Sequence, residues 1–157
     1  MKLRKSSFYA MAFTGALAAY HPAVLAQGDP FFAVLVGGTE VNAAGQANKG
    51  DLDGFGTATV IVHRTTSTTS ATLCFGITVR GIDRPTAAHI HLGRAGINGG
   101  VVVPLTPPLT GNPGASSGCV PNVPIAVANG LIVAPANYYV NVHTLAFPNG
   151  ALRGNLF

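Results

Sequence analysis

Two histidines one residue apart, His89 and His91, are the side chains of this 157-residue sequence best placed to do chemistry. Along an extended strand, residues i and i+2 share a face. Both imidazoles would therefore point one way, while Ala88, Ile90 and Leu92 point the other. Their Cβ atoms would stand roughly 7 Å apart, near enough for two rings to converge on one metal ion. A second segment alternates in the same manner: Val140 and Val142 form an apolar face, and Tyr139, Asn141 and His143 the opposite one. If that segment pairs with Thr86–Leu92, three imidazoles meet on one outer patch. Three nitrogens with an open position suit copper or a catalytic zinc. Histidines on a sheet surface also simply hydrogen-bond one another or water, and an H-x-H pair alone does not separate the two readings. His63, on a different strand near a hairpin tip, reads as a plain surface histidine.

Other chemistries find less support. Asp51-Leu52-Asp53-Gly54 invites a calcium reading, but an EF-hand would need an acid or Asn where Lys49 stands and a Glu where Val60 stands. The segment reads as a turn whose carboxylates cap backbone N–H groups, with a weak surface calcium site as the alternative. No G-x-S-x-G is present. Glu40 is the sole Glu, and nothing singles out an Asp to pair with it for glycoside hydrolysis. No Gly-rich loop opens a helix to cradle a phosphate. Arg153 alternates with Leu152 and Gly154, and is read as an ordinary edge-strand charge in preference to an anion guide for a neighbouring site. Cys74 and Cys119 are expected to pair in an oxidising compartment, which would contribute about 4 kcal/mol for a loop of that length. A reactive thiol or metal ligand is the alternative, though nothing basic flanks either cysteine.

The compartment follows from the start of the chain. Lys2, Arg4 and Lys5 precede an uncharged run from Phe8 to Tyr20, and Val24-Leu25-Ala26 supplies the small residues of a cleavage site. Residues 1–26 thus read as a signal peptide, too short in its apolar part to span a bilayer. Residues 27–157 are expected to be a single domain, periplasmic or secreted, with no transmembrane span. That domain carries six Lys and Arg against five Asp and Glu. A nearly neutral chain without a basic cluster is a poor nucleic-acid binder.

Short extended segments punctuated by Gly, Pro and Asn must position these residues. Strands are expected over Phe31–Val36, Thr57–Arg64, Ala71–Arg80, Thr86–Leu92, Val101–Leu105, Asn137–Phe147 and Ala151–Phe157. Leu73, Phe75, Ile77 and Val79 alternate with Cys74, which places the cysteine on an outer face. Val41–Gly56, the Gly-rich Gly93–Gly100 and Pro148-Asn149-Gly150 read as connections. Thr106–Pro124, rich in Pro and Gly, is expected to be an irregular loop that Cys119 pins to a strand. Ile125–Ile132 is expected to form one helical turn at most, since it lacks caps. Strands at this spacing predict an all-β fold, an antiparallel sandwich or Greek-key barrel.

Several of these segments together resemble the CHRD domain found in chordin. Ala88-His89-Ile90-His91-Leu92-Gly93-Arg94-Ala95-Gly96-Ile97-Asn98-Gly99 is similar to its central motif. So are Tyr138–Thr144 and Phe147–Gly154, and the opening is similar at Gly37–Val41 and Gly54–Thr59. The family includes an extracellular antagonist of bone morphogenetic proteins and exported bacterial single-domain proteins, and this chain resembles the bacterial form. The resemblance implies an immunoglobulin-like β-barrel with limited similarity to copper–zinc superoxide dismutases, and no general activity. It implies copper ligands at His89, His91 and His143, with Arg153 as the anion-guiding residue only if the protein is dismutase-like. The bridging imidazole and the zinc cluster of the dismutases have no counterpart here. The expectation is therefore a binding or structural module that contacts an extracellular or periplasmic protein or glycan. A three-His copper protein, dismutase-like at most, is the alternative.

Overall fold

The computed structural model describes residues 28–64, 66–110 and 112–157. The leader expected over residues 1–26 lies outside them. Eight strands form one antiparallel sheet: β1 (Asp29–Val36), β2 (Phe55–His63), β3 (Ser70–Arg80), β4 (Pro85–Leu92), β5 (Val101–Leu105), β6 (Gly114–Pro124), β7 (Tyr138–Thr144) and β8 (Leu152–Asn155). Among the described residues one α-helix, α1 (Ile125–Val133), links β6 to β7. The strand order is β5-β4-β7-β8-β1-β2-β3-β6. The sheet curls until its two ends nearly meet, where the Ser116 hydroxyl donates to the carbonyl of Thr106 at 2.8 Å. The result is a nearly closed all-β barrel whose chain crosses over between non-neighbouring strands.

Period-two alternation builds its interior. Phe31, Ala33 and Leu35 of β1 point inward, as do Ala58, Val60 and Val62 of β2 and Leu73, Phe75, Ile77 and Val79 of β3. Ala88 and Ile90, Val140 and Val142, and Leu152 complete the core from β4, β7 and β8. Each such side chain contributes roughly 1.5–3 kcal/mol by leaving water. Helix α1 plugs one end with Ala128 and Leu131, both fully buried. It runs nine residues, not one turn, although no side chain caps its start. Burial of its apolar residues outweighs the missing cap. Gly130 faces the Tyr138 hydroxyl so closely that any Cβ would collide with it.

The segment expected to be an irregular loop is largely strand. Gly114–Pro124 pairs with β3 over nearly its whole length, and Cys74 lies directly opposite Cys119. The two form a disulfide, with Cα atoms 3.9 Å apart. It therefore ties two neighbouring strands rather than pinning a loop, and it lies on the outer face as the alternation required. Pro121 fits because it falls in the irregularity between the Val120 and Val123 pairs, and Pro124 because it is the last residue of the strand.

Arg153 also departs from expectation. β8 is not an edge: it lies between β7 and β1. The Arg153 side chain is 1% exposed. A short 3₁₀ turn (Gly37–Thr39) and the connection that follows it to β2 lie over this outer face. They are fastened by Asp51 N–H to the Ala151 carbonyl at 2.8 Å and by Asn98 Nδ2 to the Val41 carbonyl at 3.0 Å. The outer face of β4, β7 and β8 is thus a covered polar layer, not the open surface patch expected from alternation alone.

Candidate metal centre

Strands β4, β7 and β8 run side by side, and their register fixes the polar layer. His89 stands opposite Asn141 and His91 opposite Tyr139. Asn141 in turn stands opposite Arg153. His143 lies one outward-facing position beyond Asn141, opposite Ala87. The three histidines singled out by spacing are brought together: each offers one ligand nitrogen, and all three atoms lie within 4.8 Å of one another. His63, on β2, is not part of this group.

Hydrogen bonds decide which nitrogens face inward. His91 Nδ1 lies 2.9 Å from the Gly99 carbonyl, and His143 Nδ1 lies 3.0 Å from the Pro148 carbonyl. A carbonyl only accepts, so both Nδ1 atoms carry a proton, and Nε2 is the atom that presents the lone pair of the neutral ring. His89 Nδ1 lies 3.2 Å from His143 Nε2. Two nitrogens bound to one ion at 2.0–2.1 Å stand about 3.3 Å apart in tetrahedral geometry, so this pair already has the spacing of two ligands. His91 Nε2 is buried and has no hydrogen-bond partner among the described residues. Bare, buried lone pairs are rare unless something else satisfies them. The donor set fits a transition metal, with a ring shift of about 1.5 Å to bring the third nitrogen from 4.8 Å to ligand spacing.

Electrostatics favour the ligating form. Burial pushes the His89 imidazole below its ordinary pKa, and the neighbouring His143 and His91 push in the same direction. His91 is also lowered, first by burial; its bond to Gly99 opposes this, and His143 and Arg153 reinforce it. Both rings are therefore neutral at neutral pH, as metal ligation requires. Backbone carbonyls hold the outer nitrogens of His91 and His143, an arrangement that fixes ring orientation around metals.

A stacked column backs the site. The His91 ring lies parallel to Tyr139 with centroids 4.7 Å apart. The Arg153 guanidinium sits 3.5 Å over the Tyr139 ring. Because β7 lies between β4 and β8, the two approach from opposite sides. Arg153 donates to Asn98 Oδ1 at 2.9 Å and to the carbonyls of Arg94 and Ile97 at 3.2 and 2.7 Å. It thereby holds the Gly93–Gly100 turn, whose Gly99 carbonyl orients His91. Glu40 lies 4.0 Å from Arg153. Its carboxylate accepts from Val41 N–H and from Asn141 Nδ2. Burial raises the Glu40 pKa, against the lowering influence of Val41, Arg153, Asn141 and His143.

Glu40, Asn98 and the carbonyls of Gly99 and Pro148 were not legible as site residues. Glu40 bore only the signal of being the one glutamate. The Asp51–Asp53 turn forms as expected, with Asp53 N–H donating to Asp51 Oδ1 at 3.3 Å. Among the described residues no helix is long and apolar enough to cross a membrane.

Comparison with known proteins gives one finding. The CHRD domain family matches the chain over residues 31–156. No curated protein and no solved structure matches it.

Proposed function

The chain belongs to the CHRD domain family, and from that premise we propose that it is an exported binding module whose built-in ligand is a single transition-metal ion, copper above others. His89, His91 and His143 hold it. One observation carries the reading: three imidazole nitrogens lie within 4.8 Å of one another, and the His91 ring holds a buried Nε2 with no partner among the described residues. Imidazole suits copper and zinc alike, and divalent copper heads the affinity order for such sites. His89 and His143 are only half-buried, which leaves solvent a way to the site. The disulfide and the apolar leader sequence support export.

A dismutase-like activity gains nothing from Arg153. Its guanidinium is engaged by Asn98, two carbonyls and the Tyr139 ring, and does not act as a free anion guide. The reading as a metal-binding module is therefore preferred to a redox enzyme. Isothermal titration of Cu(II) into the protein lacking residues 1–26 tests it, beside a His91→Ala variant. One ion per chain with a nitrogen-rich spectrum, weakened more than about 100-fold in the variant, is expected for loss of a ligand where even an outer partner is worth 10–100-fold. Wild-type protein that takes up no copper ends the proposal and turns the search to protein and glycan partners.

A further inference from the structure

Two buried acceptors share one cleft. His91 and Asn141 are 9% and 2% exposed, and His91 Nε2 and Asn141 Oδ1 have no hydrogen-bond partner among the described residues. Both residues line a cavity of about 290 Å³, together with Asn98, Tyr139 and Asn149. The orientation of the Asn141 amide is not arbitrary. Its Nδ2 donates to the Glu40 carboxylate at 2.9 Å, so Oδ1 is the atom left bare. A buried amide oxygen without a donor costs free energy, and such groups are nearly always satisfied. The metal proposed above answers His91 Nε2. It leaves Asn141 Oδ1 without a donor, in a residue that lines a cavity much larger than the share of one water, about 30 Å³ in the liquid.

We propose that Asn141 Oδ1 is the hydrogen-bond acceptor for a small protic molecule held in this cleft beside the ion, and that it selects such a molecule over aprotic anions. Water and small alcohols carry the required proton; fluoride and azide do not, and would set a second lone pair against the amide oxygen. Asn141 is a specificity-determining residue in this account, not a metal ligand. The inference rests on the metal-binding reading and deepens it.

The test uses Cu(II)-loaded wild type, Asn141→Leu and Asn141→Ala, titrated with fluoride and followed by the fluorine splitting of the copper EPR signal. Fluoride is small enough that filling or hollowing the cleft does not bar it. Both variants are expected to bind fluoride about five-fold more tightly than wild type, the worth of one neutral hydrogen bond. Affinities within two-fold across all three proteins overturn the role of Asn141 and leave the metal site standing. Wild type that refuses copper overturns both. If neither variant folds, pulsed EPR of copper-loaded wild type decides. One further exchangeable proton at a fixed position near the ion, besides the Nδ1 protons of His91 and His143, supports the proposal, and its absence overturns it.

Discussion

Replacing Arg153 with Met is the sharpest test of how the cover over the polar layer is held. Met keeps much of the aliphatic volume and removes the charge and donors. Three acceptors then lose their partner: Asn98 Oδ1 and the carbonyls of Arg94 and Ile97. Glu40, 4.0 Å away, keeps a buried carboxyl without its cation. Breaking a buried ion pair by removing one partner costs about 3–5 kcal/mol. The freed carbonyls lie on a turn that water can reach, which favours the lower half of that range. At roughly 4 °C per kcal/mol for a domain of this size, Tm should fall by about 15 °C. The assay is thermal unfolding by circular dichroism at several pH values. Burial already raises the Glu40 pKa, and losing Arg153 removes an influence that lowers it. A carboxyl with a raised folded pKa loses stability as pH rises from its unfolded value toward the folded one. The gap between variant and wild type should therefore narrow as pH falls toward 4, and a second change, Glu40→Gln, should recover part of the loss at neutral pH. A Tm drop below about 4 °C, or a gap that widens in acid, would refute the argument that Arg153 and Glu40 hold the cover together.

Three further outcomes are expected. His89 and His91 have depressed folded-state pKa values, so their contribution to stability is complete above the ordinary histidine value of about 6.5 and declines as pH falls through the depressed ones; urea midpoints between pH 7.5 and 5 should drop, with a shallower slope in His91→Ala. Reducing the Cys74–Cys119 bond should cost about 2–4 kcal/mol by chemical denaturation. It should leave Cu(II) affinity unchanged, because Cys74 and Cys119 lie on β3 and β6, and neither strand carries a residue of the three-histidine group. Gly150→Ala should cost about 3 kcal/mol in the same measurement: Gly150 has φ +138°, and an added Cβ would stand 2.2 Å from Glu40 Oε2 and 2.7 Å from Asn141 Oδ1.

Alternation was enough to place most strands and to set His89, His91, Tyr139, Asn141 and His143 on one face, because period two is a local property. It could not say what lies on top of that face. The cover comes from Glu40 and its neighbours, some hundred residues away from Asn141 in sequence. The same gap explains Arg153. Its alternation is visible in Leu152-Arg153-Gly154, but its burial depends on β8 being flanked by β1, the first of the described strands. Strand β6 was hidden by composition. Gly, Ser and Pro are weak strand formers, and only pairing with the long β3 holds them extended. Helix α1 was underestimated for a related reason: its stability comes from Ala128 and Leu131 in the core, not from signals at its ends.

The cross-strand disulfide bears on how copies of this protein behave when crowded. Strand β6 borders the sheet, and a bordering strand with a free row of N–H and C=O groups is the element most easily exchanged between molecules. A covalent bond to β3 prevents β6 from leaving its own barrel, so swapping that strand into a neighbour would require prior reduction. The bond therefore acts as a guard on molecular identity: in each oxidised chain the border strand stays with its own β3.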